Sequence, residues 1–101
     1  MIHPREIEIL NILAGGEKPM MSADIVDAGN RLSQSTVQAV LRKLLKEGFV
    51  EVEGITHSGN VLARTYRITD AAREAVLDQY IQDYQNISNI VMKDEVIGAL
   101  K

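Results

Sequence analysis

The sequence predicts a mainly α-helical domain carrying one two-stranded β-hairpin, and three observations lead there. Apolar residues recur at helical spacing in three segments ahead of Gly48, each bounded by a capping residue or a glycine. Residues 49–53 and 62–68 then change to a period of two, the rhythm of half-buried strands. From Asp70 onward the helical period returns. Three helices followed by a hairpin is the order of a winged helix-turn-helix, with a further C-terminal helix appended.

Each element has its local reason. Pro4 suits a first helical turn, and Ile7, Ile9, Leu10, Leu13 and Ala14 follow at helical spacing until Gly15-Gly16 stops the segment. Ser22 is placed to cap a short helix over residues 23–28, with Gly29 suited to a left-handed exit. The four residues Gly29-Asn30-Arg31-Leu32 form a turn, and Ser33 caps a third helix that runs to Glu47 and ends at Gly48. Two helices joined so tightly are a helix-turn-helix candidate. Residues 54–60 have turn chemistry and predict a flexible hairpin tip. Thr69 caps the fourth helix, which is expected to break near residues 86–89, where helix formers are poor, with a short turn or helix over residues 94–101. The expected division is a winged-helix domain over residues 1–68 and a dimerisation helix with its tail over residues 69–101.

Composition excludes several functions. A chain of 101 residues, 46% hydrophobic and 25% charged, predicts one globular domain. With no cysteine and only two histidines, neither set at ligand spacing, no metal site, cofactor or enzymatic activity is expected. The apolar runs are far shorter than the roughly 20 residues that cross a bilayer. The first residues also lack the layout of a secretory signal, so the cytoplasm is the expected compartment.

The net charge of −3 is unevenly laid out. Residues 31–67 hold Arg31, Arg42, Lys43, Lys46, Arg64 and Arg67 against three glutamates, while both flanks are acidic. On a helical wheel, Val37, Val40, Leu41 and Leu44 gather on the core side of the third helix. Ser35, Gln38, Ala39, Arg42 and Lys46 face away, with Thr36 and Lys43 at one flank. Polar residues at the helix start and cations toward its end suit a major groove, where Gln38 can pair with adenine, Arg42 with guanine, and Lys43 and Lys46 with phosphate. Ser33 joins them at the cap. The hairpin adds His57 near its tip and Arg64, which either reaches phosphate or pairs with Glu51 or Glu53 across the strands. The expected partner is a double-stranded DNA operator, with an acid-binding protein-interaction module as the alternative.

The run from Leu32 to Val50, LSQSTVQAVLRKLLKEGFV, resembles the recognition segment of the penicillinase-repressor family of winged-helix regulators. The resemblance extends over residues 3 to about 68. It implies a homodimeric repressor with operator contacts at Ser35, Thr36, Gln38 and Arg42. Multidrug-type and phenolic-acid-type regulators share the pattern, and the stretch from Tyr66 to Arg73 looks like the latter. The absence of cysteine sets aside the family's copper-responsive members, and a C-terminal region shorter than the family's usual one argues against release by proteolysis.

Leu77, Tyr80, Tyr84, Ile87 and Val91 are spaced alternately three and four residues apart. That seam predicts a homodimer formed by the fourth helix, acting on a pseudo-palindromic site. The inducing signal is not legible.

Overall fold

The computed structural model describes residues 1–91; the tail expected over residues 94–101 lies outside them. The elements are α1 (Pro4–Gly15), β1 (Met20–Met21), α2 (Ser22–Ala28), α3 (Gln34–Glu47), β2 (Val50–Ser58), β3 (Val61–Ile68) and α4 (Asp70–Val91). Helices α1 to α3 and the base of the sheet enclose one core. Ile9, Leu10 and Leu13 come from α1, Ile25 from α2, Val37, Leu41 and Leu44 from α3, and Val50 and Tyr66 from the sheet. Full burial of a side chain of this size contributes roughly 1.5–3 kcal/mol.

Local chemistry sets the helix ends. The His3 ring nitrogen Nδ1 accepts from the Arg5 amide at 3.1 Å, and Pro4 follows where no amide donor is needed. Ser33 Oγ accepts from the Thr36 amide at 3.1 Å and so caps α3. Gly48 closes the same helix at φ 77°, in the left-handed conformation that costs glycine least. Thr69 then joins two elements: its hydroxyl donates to the Gly48 carbonyl at 2.7 Å and accepts from the Ala72 amide at the start of α4.

Several expectations are corrected. The sheet has three antiparallel strands in the order β1-β3-β2, because Met20 and Met21 pair with Tyr66 and Thr65. Two methionines next to a proline carry no alternating pattern, so that strand was invisible to periodicity. The hairpin is also longer than expected. Residues assigned to a flexible tip continue the strands, and only Gly59-Asn60 turns the chain, with Gly59 at φ 65°. Glu53 is an extra residue in β2, and this bulge hid the alternation. Ser22 is the first residue of α2 rather than its cap; Asp24 reaches back to the Met21 amide at 3.1 Å. Finally, α4 runs without a break through residues 86–89, with the Ser88 hydroxyl donating to the Gln85 carbonyl.

Gly29 is the last correction. It exits α2 in an extended conformation, φ −83°, so no left-handed requirement explains it. Space does: a Cβ there would lie 2.1 Å from Leu32 Cδ1 and 3.1 Å from Leu32 Cβ. Leu32 is itself only 6% exposed and anchors the turn in the core. The left-handed residue of the turn is Arg31, at φ 60°.

Gly29→Ala should therefore destabilise the fold by about 1–3 kcal/mol, the usual cost of overpacking. Urea unfolding checks this; an unchanged midpoint would mean that Leu32 moves aside freely.

Candidate nucleic-acid interface

The outward face of α3 follows from its inward one. With Val37 and Leu44 fully buried and Leu41 nearly so, Ser35, Gln38, Ala39, Arg42 and Lys46 are all exposed along the opposite side, and Thr36 is half-buried at the flank. Ser33 is occupied as the cap: besides the Thr36 amide, its hydroxyl bonds the Thr36 hydroxyl at 2.9 Å.

The cations divide into two groups. Among the described residues Arg42, Lys46 and Arg64 lie in no ion pair, and all three are exposed. Lys43 differs, for its ammonium sits 2.6 Å from Oε1 of Glu6 on α1 and 3.8 Å from Oε1 of Glu47. Its hydrogen bond to Glu6, with the two carboxylate charges, holds its pKa above the ordinary 10.5 against some loss of solvation. Arg67 is likewise paired, with Glu51 directly across the hairpin, and that bond and charge raise its pKa.

The bulge at Glu53 decides where Arg64 goes. Beyond it, Ile55 pairs with Arg64 and His57 with Leu62, so these four share the side of the hairpin that carries Val50, Val52, Tyr66 and Ile68. Arg64 consequently faces no carboxylate across the strands. Glu51 is taken by Arg67, and Glu53 accepts from the Thr65 hydroxyl at 3.0 Å. Arg64 lines a cleft with Tyr66 and Leu62 from β3 and Gln34 and Gln38 from α3. Sequence-predicted residues of the helix and the hairpin thus meet across one opening. His57 is exposed beside the turn.

One residue that sequence reasoning passed over belongs nearby. Arg31 is exposed in the turn before α3, with its backbone in the left-handed region. The turn is tied to α1: Glu8 accepts from the Asn30 amide at 3.2 Å, and Arg5, bonded to Glu8 at 3.0 Å, donates to the Asn30 carbonyl at 3.5 Å. The available signal was a cation in the basic middle segment beside a helix start.

The seam of α4 is exposed: Leu77 56%, Tyr80 67%, Tyr84 61% and Ile87 53%. Helix α4 rests on the core through Ala72 and Val76, and Gln79 clasps the Ile2 backbone, accepting from its amide at 2.6 Å and donating to its carbonyl at 3.3 Å. Leu77 and Tyr80 also border an apolar groove against Pro4, Ile7 and Asn11 of α1. Of Val91 only the helical backbone is described.

Residues 2–72, more than half of the chain, match the family model of a winged helix DNA-binding domain. No curated protein matches the chain. Among solved structures, PadR of Bacillus subtilis in complex with operator DNA is 23% identical with a TM-score of 0.65; the match covers 78% of this chain and 49% of PadR, about half its length. A PadR family transcriptional regulator from Eggerthella lenta is 19% identical, with a TM-score of 0.64 and coverage of 85% and 80%. Reduced YodB of Bacillus subtilis is 18% identical, with a TM-score of 0.61 and coverage of 81% and 78%. At these identities the likeness is one of fold.

The Lys43–Glu6 pair should leave a mark on stability at alkaline pH. Because the folded-state pKa of Lys43 is raised, the pair's contribution is complete below pH 10.5 and is lost as pH climbs through the raised value. Lys43→Gln should therefore show a flatter alkaline fall in unfolding midpoint than the parent; parallel curves would contradict the pairing.

Proposed function

Since this chain belongs to the winged helix DNA-binding domain family, we propose that it is a sequence-specific transcriptional regulator that works as a homodimeric repressor on a pseudo-palindromic operator. The observation that carries this reading is the cleft in which Gln38 of α3 meets Arg64 of the hairpin, with Arg42 and Lys46 farther along α3 in no ion pair among the described residues. Helix α3 enters the major groove with Gln38 and Arg42 directed at base edges, Lys46 meets phosphate, and the wing follows the adjacent backbone with Arg64 and His57. Ser35, Thr36 and Ala39 line the helix's approach, with Ser33 acting through the cap.

Dimerisation rests on α4. Leu77, Tyr80, Tyr84 and Ile87 present an apolar stripe over residues 77–87 of α4, roughly 15 Å long, that is exposed in the described monomer. A second α4 would cover it, and a pseudo-palindromic operator then requires the two recognition helices about one helical turn of DNA apart, roughly 34–36 Å. The likeness in fold to PadR regulators is in keeping with the near alternatives to the penicillinase repressors, the phenolic-acid-type and multidrug-type regulators.

Salt-titrated binding to duplex DNA tests the reading. Arg42→Ala should cost about 1–3 kcal/mol on a selected operator and relax preference at one position, since a bidentate base contact is lost. Lys46→Ala should weaken binding to every sequence and lower the salt slope by about 0.9. Indifference of the parent to any DNA at low salt would instead point to a protein partner for the same face.

Tyr84→Asp places a charge in the middle of the apolar stripe. Sedimentation should show a monomer with DNA affinity reduced, and circular dichroism an intact fold, because Tyr84 is exposed within the subunit. A variant that stays dimeric would refute the seam.

A further inference from the structure

Lys43 and Glu6 are joined in a way that DNA recognition does not require. Lys43 leaves α3 beside the exposed face, one residue on from Arg42, and 57% of its side chain is open to solvent. A cation so placed on such a helix is a ready phosphate contact. Yet its ammonium turns back to Glu6 Oε1 at 2.6 Å, while Arg42 and Lys46 on the same helix have no carboxylate partner among the described residues.

Glu6 has a strong hold on it. The residue is only 3% exposed, the one buried charged residue of the described chain. It lies in the first turn of α1, where the helix dipole favours an anion. Drawing Lys43 away would strand a carboxylate that water scarcely reaches, and an uncompensated buried charge costs more than a screened surface contact returns. Glu47, 3.8 Å away, adds a second attraction in the same direction.

We propose that Glu6 withholds Lys43 from the DNA backbone, making Glu6 a residue of α1 that limits how many phosphates α3 neutralises. This rests on the DNA-binding reading and adds to it a restraint on sequence-independent affinity. Arg42 and Lys46 act on DNA, Lys43 acts on Glu6, and the module binds random duplex more weakly than its positive charges alone would give.

Salt-titrated binding of the full chain to a random-sequence duplex tests this. Glu6→Gln, which keeps a side chain able to hydrogen-bond, should bind more tightly at low salt with a salt slope steeper by about 0.9, one added phosphate contact. Adding Lys43→Gln to that variant should erase the gain. A folded Glu6→Gln protein with an unchanged or shallower slope overturns the proposal. NMR signals of the lysine ammonium groups in the parent chain give a reading independent of any variant's folding. On adding duplex, the Lys46 signal should move and the Lys43 signal stay in place; movement of both overturns the inference while leaving DNA binding intact. If the parent binds no DNA at low salt and neither signal moves, the functional reading falls, and this inference with it.

Discussion

Val37, Leu41 and Leu44 lie on one side of α3 and are removed from water by α1, α2 and the sheet, and a helix held in that way has no freedom over what it shows to solvent. The exposed side is then determined residue by residue, at 100° per position. Its approach is determined as well. Ser33 caps the helix, Leu32 is sunk in the core just ahead of it, and Gly48 ends it where Thr69 bonds back. Gln38, Arg42 and Lys46 are thus presented by a rigid element rather than a loop.

The first helix does more than fill the core. Its apolar residues Ile9, Leu10 and Leu13 pack inward, while three charged residues near its start bond to α3 or to the turn ahead of it. Arg5 and Glu8 hold the backbone of Asn30 in the turn, and Glu6 holds Lys43 on α3. The same helix borders the apolar groove under Leu77 and Tyr80 of α4. Whatever occupies that groove therefore touches the element that steadies α3.

The parts legible in the sequence were those in which a single periodicity decides. The two faces of α3, its serine cap and its glycine exit follow from spacing and backbone preference, and all three stand in the structure. The hairpin was harder, because one bulged residue at Glu53 shifts the alternation and makes a nine-residue strand read as a short one followed by a loop. The two-residue strand β1 has no pattern of its own and exists through its pairing with β3. Ion pairing lay beyond periodicity altogether. Glu6 and Lys43 are 37 positions apart, and only the packing of α1 against α3 brings them together. The same limit left Arg64 open between phosphate and a carboxylate across the strands, and the register, which sets it opposite Ile55, removes the second.

The most direct test of a winged helix that reads DNA with these two elements is the backbone amide spectrum of the full chain, followed as duplex DNA is added at low salt. Shifts should concentrate along α3 at Ser35, Gln38, Ala39, Arg42 and Lys46, and on the wing around His57 and Arg64, while α4 at Tyr80, Tyr84 and Ile87 stays unchanged. Shifts confined to α4, or a spectrum that duplex DNA leaves untouched, would contradict it.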